Sequence, residues 1–206
     1  MSISTAIESS SAGTRNPAPL PPHARSSEPL SPERGGRGFR LLPCTMSDIA
    51  GLVTDGGEGR TLEAVGVPHP FWNEFARMCA ASHAGDTGAL HWAVSRSGDG
   101  RLVGYAGLNQ IDLARRQGEL RVWVAGGAGR LRGATECSEK VVELAMQVIG
   151  LRRVYALQLE RYAAAGLILE SIGMQPEGFF RKRIQKEGML EDVVCWSILR
   201  KNWPGP

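Results

Sequence analysis

Several features that mark other classes of protein are missing from this chain of 206 residues. No apolar run approaches the roughly 20 residues of a membrane-spanning helix, so a membrane protein is excluded. The formal net charge of +3 is too small to favour nucleic-acid binding. The cysteines and histidines show neither a Cys-x-x-Cys pair nor the spacing of metal ligands, so no metal is expected. They are Cys44, Cys79, Cys137, Cys195, His23, His69, His83 and His91.

Large apolar side chains are scarce in residues 1–38, which contain no Phe, Trp, Tyr, Val or Cys but six of the twelve prolines and eight serines. Such a segment buries too little surface to offset its ordering entropy, so we predict a disordered arm. It also lacks the apolar core of a secretory signal, and we expect a cytoplasmic protein with reduced thiols. A transit peptide or a partner-binding proline segment is a weaker alternative. Residues 39–206 are long enough for one core.

Hydrophobic periodicity in residues 39–206 predicts a mixture of strands and helices. Apolar residues at i, i+3, i+4 and i+7 indicate a helix that Gly150 ends, and alternation around Val122 indicates a strand. The predicted strands are 39–43, 90–95, 102–111, 119–125, 153–159, 179–185 and 190–199. The predicted helices begin near 48 and span 71–81, 134–149 and 163–172.

A loop rich in glycine and arginine joins a predicted strand to a predicted helix at residues 126–135. Glycine allows close approach of a ligand, and the start of a helix presents unpaired N–H groups with the positive end of the dipole. Arg130 and Arg132 add charge, so the loop suits a pyrophosphate. The alternative is a glycine-rich turn with exposed arginines.

Five segments in this order resemble the GNAT superfamily of N-acyltransferases, most closely the branch of the ribosomal-protein N-terminal acetyltransferases (RimJ/RimL-like). They are GELRVWV at 118–124, GRLRGATECSEKVVELA at 129–145, LRRVYA at 151–156, LILESIGM at 167–174 and EGFFRKRIQKEGMLEDVVCWSILRKNW at 177–203. The resemblance implies an α+β fold. Its twisted, mostly antiparallel mixed sheet of about six to seven strands is flanked by about four helices and splits between central strands.

The resemblance also implies acetyl-CoA as co-substrate. Its pantetheine arm would pair with the backbone of Trp123, Val124 and Ala125 like an added strand. The pyrophosphate loop can be aligned with the family motif in two ways. One alignment matches Arg130 and Gly133 with the first two motif residues, and the preferred alignment puts Arg132 where glycine is usual. The amides expected to hold the pyrophosphate belong to Arg130, Leu131, Arg132, Gly133, Ala134 and Thr135.

Two catalytic groups follow from the same resemblance. Glu119 is expected to be the base that removes a proton from the amine; the alternative is a structural ion pair with Arg121 or Arg115. The family's general acid is a tyrosine or serine in the helix after the fifth strand, and neither is present at those positions here. Tyr162 carries the nearest hydroxyl in the sequence, although it stands where the family has asparagine. The alternative role of Tyr162 is to pack on the cofactor or to cap the following helix. Without an acid, the thiolate can leave unassisted.

Aromatic side chains are candidates for the acceptor pocket, with packing in the core as the alternative. They are Phe71, Trp72 and Trp92. His91 is expected to be a surface histidine, and Asp192 and Trp196 are expected to be structural.

Together these features predict an acetyl-CoA-dependent N-acetyltransferase in which a primary amine attacks the thioester directly. The amine would be a protein N-terminus or a small molecule, and the protein a monomer or homodimer without nucleic-acid or membrane partners. The alternative is a CoA-binding scaffold domain that has lost turnover. A nucleotide-binding protein is a weaker third interpretation, since no metal-ligand or ribose-binding acid accompanies the loop.

Overall fold

The computed structural model describes residues 38–43, 88–98, 100, 102–124, 130–186 and 188–205. The predicted arm, apart from Gly38, lies outside these residues. So do the two predicted helices near 48 and at 71–81, and therefore Phe71 and Trp72.

The described strands form one seven-stranded mixed sheet in the order β1-β2-β3-β4-β5-β7-β6. Every neighbouring pair is antiparallel except β4 and β5, which are parallel. The α+β class with a mostly antiparallel sheet is thereby confirmed. The strands are β1 (Phe39–Pro43), β2 (Leu90–Arg96), β3 (Leu102–Asp112), β4 (Gln117–Val124), β5 (Arg153–Leu159), β6 (Gln175–Lys186) and β7 (Met189–Leu199).

Two helices lie within the described residues, out of about four that were expected. Helix α1 (Arg130–Glu143) continues into a π-helical segment, Leu144–Ile149, and α2 spans Ala163–Ser171. The first helix ends at Gly150, whose φ of 79° suits glycine. It begins four residues before the predicted start, because its arginine-rich first turn carries no apolar period. Among the described helices, none has the length and hydropathy to cross a bilayer.

Helix α1 packs on β1, β3 and β4, and the core lies between them. The strand register aligns Leu90, Leu108 and Leu120 in one row on this face, where Val141 and Ala145 of the helix are also buried. Removing these side chains from water stabilises the layer. The opposite face of the sheet, here called the polar face, carries buried polar side chains instead.

Strands β4 and β5 pair at only three positions, the last of which joins Glu119 to Tyr155. Beyond that point β4 continues on β3 as far as Val124, whereas β5 continues on β7 as far as Leu159. The sheet therefore opens between two central strands, as predicted. We call this opening the fork.

Candidate functional site

Glu119 lies at the base of the fork and is completely buried. An Arg121 guanidinium nitrogen approaches its Oε1 to 2.9 Å, but neither carboxylate oxygen accepts a hydrogen bond from any described residue. Arg115 pairs instead with Asp112, at 2.7 Å. The predicted base thus has the ion pair of the structural alternative, and its oxygens retain lone pairs that can accept a proton.

Tyr155 is a candidate residue of the functional site that the sequence analysis did not identify. It lies opposite Glu119 on β5, and its hydroxyl donates a hydrogen bond to Oε1 of Gln110 at 2.8 Å. Burial raises the pKa of Tyr155, and the nearby negative charge of Glu119 adds to the effect. The phenol therefore stays protonated at neutral pH. Only the pairing of β4 with β5 reveals this neighbour, because the two residues are far apart in the sequence.

His91 is buried with 1% of its surface exposed, so the expectation of a surface histidine was wrong. Its Nε2 lies 2.7 Å from Oδ1 of Asn109 on the neighbouring strand. Burial lowers the pKa of His91 to about 4, so the ring is neutral at pH 7. The polarity of histidine at the start of a strand suggested exposure, whereas strand pairing places the ring within the polar face.

Tyr162 lies beyond the far end of β5, immediately before α2, and its side chain is 47% exposed. Its backbone oxygen accepts a hydrogen bond from Nε2 of Gln158 at 3.0 Å. Oε1 of Gln158 in turn accepts one from Nε1 of Trp196 at 2.6 Å. Four residues of β5, about 13 Å of strand, separate Tyr155 from the end of that strand. Glu119 therefore lies where β4 and β5 separate, and Tyr162 lies beyond the opposite end of β5.

Helix α1 starts at Arg130, six residues after β4 ends at Val124. The first four N–H groups of a helix have no acceptor within it, which here are those of Arg130, Leu131, Arg132 and Gly133. The positive end of the dipole lies at the same place. The amides of Ala134 and Thr135 lie one turn further in, where the helix supplies their acceptors.

Two residues of the predicted phosphate loop have partners within the protein. Nε of Arg132 pairs with Oε1 of Glu136 at 2.8 Å on the exposed side of α1. A Cβ atom at Gly133 would approach the ring of Phe39 to 2.7 Å, so glycine is needed here for β1 to pack on the helix. The glycine thus has a structural reason that is independent of a ligand.

The residues predicted to line the pantetheine arm lie at the end of β4. Trp123 stacks on Tyr105 of β3, with ring centroids 6.4 Å apart, and Val124 is buried beside Gly104. Ala125 lies outside the described residues. Beyond Glu119 this part of β4 pairs with β3 along one edge, and its other edge borders the fork.

Of the three aromatic residues predicted for the acceptor pocket, Trp92 is the one that the structure describes. It is 5% exposed and belongs to the core cluster, next to Ala106 in the register of β2 and β3. This is the position that the core-packing alternative assigns to it.

A family model described as an acetyltransferase (GNAT) domain matches residues 40–175. Among curated proteins, the chain is 28% identical over 107 residues to the "Putative ribosomal N-acetyltransferase YdaF" of Bacillus subtilis. That match covers 52% of this chain and 58% of the relative. "Uncharacterized N-acetyltransferase YoaA" of the same organism is 25% identical over 111 residues, covering 54% of this chain and 63% of the relative. The matches thus span about three fifths of the curated relatives.

Solved structures share the fold. Mycobacterium smegmatis RimJ, in complex with CoA-disulfide, aligns with a TM-score of 0.66 at 19% identity, covering 85% of this chain and 91% of that one. The structure of one of the "probable acetyltransferases (GNAT family)" from Chromobacterium violaceum aligns with a TM-score of 0.66 at 20% identity, covering 97% of this chain and 99% of that one.

Proposed function

Because the chain belongs to the acetyltransferase (GNAT) domain family, we propose that it transfers an acetyl group from acetyl-CoA to a primary amine. The observation that carries the proposal is the fork, which opens at a buried carboxylate with free lone pairs. The proposed domain spans residues 39–206, and the proposed location is the cytoplasm. The acceptor is a protein N-terminus or a small-molecule amine, and the curated relative named for the ribosome makes ribosomal-protein N-termini the first to test.

The described residues fit acetyl-CoA in two places. The edge of β4 after Glu119 borders the fork without a strand partner in β5, so an extended pantetheine arm can pair with it as an added strand. The first-turn amides of α1 lie beyond the end of that strand and suit the pyrophosphate. Arg132 is exposed next to these amides and can add a charged hydrogen bond by turning from Glu136.

In this arrangement the protein performs three tasks, and acetyl-CoA supplies the reactive thioester. Glu119, at the buried base of the fork, accepts through water the proton that the ammonium group of the acceptor must lose before it can attack. A backbone N–H near Val124 donates to the carbonyl oxygen as negative charge develops there. Tyr162 protonates the departing sulfur, or the thiolate leaves unassisted because a thiol is a moderate acid.

The direct test measures release of free thiol from acetyl-CoA with a panel of amines that includes ribosomal-protein N-terminal peptides. Glu119→Gln should lower kcat by on the order of 100-fold, since general bases contribute about 10²–10⁴. Glu139→Gln, on the exposed side of α1, is the matched control and should leave kcat unchanged. No thiol release above background with any amine would contradict the proposal.

Tyr162→Phe tests the acid separately. A fall in kcat that disappears with an acyl donor carrying a more acidic leaving thiol would support protonation by Tyr162. Titration calorimetry with acetyl-CoA gives the remaining outcome: binding without turnover would replace the transferase by the scaffold alternative, and absence of binding would overturn both.

A further inference from the structure

Two polar side chains, one buried and one half-buried, lie beside the proposed base and have no role in the steps above. His91 of β2 and Asn109 of β3 are joined by the 2.7 Å contact between Nε2 and Oδ1. An amide oxygen can only accept a hydrogen bond, so Nε2 carries the proton and donates it. The neutral ring of a buried histidine carries a single N–H, which this contact uses.

A glycine makes the contact possible. His91 lies opposite Gly107 in the register of β2 and β3, and a Cβ atom at 107 would come within 2.5 Å of His91 Nδ1. The imidazole therefore lies across the space that a side chain at 107 would fill. From there it reaches Asn109, which is two residues further along β3 and on the same face.

Asn109 lies directly opposite Glu119 in the register of β3 and β4. Side chains at such positions project from the same face, with Cβ atoms about 4.5–5.5 Å apart. Because His91 holds the amide oxygen, the amide NH₂ group remains as the donor that Asn109 can offer to a neighbour. The neighbouring carboxylate of Glu119 is buried, and its oxygens accept no hydrogen bond from the described residues.

From this juxtaposition we infer that His91 and Asn109 are positioning residues for Glu119, an inference that rests on the proposed role of Glu119 as the base. His91 fixes the rotamer of Asn109, which places the amide to donate to the carboxylate in the substrate-bound state, since such hydrogen bonds often tighten only there. In this structure the amide does not yet donate to Glu119, whose Oε1 lies 2.9 Å from Arg121. One oxygen of Glu119 is thereby kept in the orientation that receives the proton of the acceptor. Neither positioning residue needs to contact a substrate.

The test is a double-mutant cycle on the full chain, read as kcat and KM for the amine found in the thiol-release assay. Asn109→Ala should lower kcat by about tenfold with the KM for acetyl-CoA unchanged, as expected for a hydrogen bond to a charged group. In the Glu119→Gln background the same substitution should have no further effect, because the restrained group is gone. If Asn109 had a purely structural role, Asn109→Ala would lower kcat by the same factor in the wild-type and Glu119→Gln backgrounds.

Substitution of His91 provides a rescue control. His91→Gln retains an N–H donor near the position of Nε2 and should keep kcat within about threefold, whereas His91→Leu should match Asn109→Ala. Equal loss in the two His91 variants, or an undiminished effect of Asn109→Ala in the Glu119→Gln background, would overturn the inference. If Glu119→Gln alone leaves kcat unchanged, the assignment of the base has failed instead. Acetyl-CoA affinity and thermal melting of each variant identify any that do not fold.

Discussion

At the scale of single residues, glycines set the distances between neighbouring strands of the sheet. A Cβ atom at Gly107 would lie 2.2 Å from the backbone oxygen of Leu90, and one at Gly104 would lie 2.1 Å from that of Trp123. Neither backbone can move without separating paired strands. In both cases the approached atom is a backbone carbonyl oxygen of the neighbouring strand.

Gly107→Ala is therefore expected to lower the free energy of unfolding by about 2–4 kcal/mol, in the range of overpacked or strained sites. The measurement is chemical denaturation. Gly178→Ala is the control, because an added Cβ atom there meets its nearest neighbour, Phe180, at 4.0 Å. Equal stability of the two variants would show that β2 and β3 can separate at no cost.

His91 makes stability depend on pH. Its pKa is about 4 in the folded protein, against 6.5 for an unperturbed imidazole, because burial disfavours the charged ring. The unfolded chain then binds a proton that the folded chain does not, so stability falls as pH decreases from about 6.5 to 4. The expected contribution is about 3 kcal/mol in total. Denaturation at several pH values should show this slope reduced in His91→Gln; an unchanged slope would assign it to other groups.

At the scale of elements, a chain of side chains connects β7 to the turn before α2. Trp196 donates to Gln158, and Gln158 donates to the backbone oxygen of Tyr162. Gly166 of α2 lies against the same two side chains, since a Cβ atom there would be 3.0 Å from Gln158 Oε1. The turn that carries Tyr162 is thus held by a residue distant in sequence, which confirms the structural interpretation of Trp196.

Trp196→Phe keeps most of the ring and removes the donor. Because Gln158 is buried, its unsatisfied oxygen should cost about 1–2 kcal/mol of stability. Amide exchange in α2 should accelerate more than exchange in α1. Trp203→Phe makes the same change in size at a half-buried ring whose N–H donates to no side chain among the described residues. It should affect α2 and α1 alike. Equal acceleration of amide exchange in α1 and α2 of Trp196→Phe would contradict a local role for the hydrogen bonds from Trp196 through Gln158 to Tyr162.

Elsewhere in the sheet, Asp192 supports the edge hairpin. Its Oδ1 accepts a hydrogen bond from the backbone N–H of Lys182 at 2.8 Å, and Lys182 adopts a φ of 50°. The register of β6 and β7 shifts between Phe180 and Ile184, so the basic run at 181–183 does not alternate regularly. A bulge of this kind bends the edge strand β6 and discourages pairing with another chain.

At the scale of the whole molecule, the sheet consists of two halves joined at three residue pairs of β4 and β5. One half carries β1 to β4 with α1, and the other carries β5, β7 and β6 with α2. Fewer backbone pairs hold the middle of the sheet than its flanks. A ligand in the fork would contact both halves and add to their association.

Acetyl-CoA is therefore expected to slow amide exchange at residues 120–124 of β4 and at the first turn of α1, with little change in β6. At a hundredfold excess over Kd it should raise the free energy of unfolding by about 2.7 kcal/mol. Hydrogen exchange with mass spectrometry and denaturation with and without acetyl-CoA measure the two effects. Protection confined to other regions would place the binding site away from the fork.

Much of the fold was predictable because local patterns specify it. Period-two alternation located β4, helical periodicity located the body of α1, and Gly150 marked the helix end, all of which depend on neighbours a few residues apart. The first turn of α1 escaped prediction since arginines carry no apolar period. The family resemblance, carried by five short segments, supplied the mostly antiparallel sheet and its split between central strands, whereas the order of the strands came from the structure.

The candidate site was predicted in part. The family resemblance singled out Glu119 on β4 as the proposed base, and the order of elements puts the start of α1 shortly after the end of the same strand. The neighbours of Glu119 are decided by register: Asn109, Tyr155 and the buried ring of His91 come from three other strands. The sequence by itself determined which strands and helices form, because their signals are local. Only the tertiary structure decided which side chains meet at the fork, because a shift of one residue in pairing would turn each of them to the opposite face.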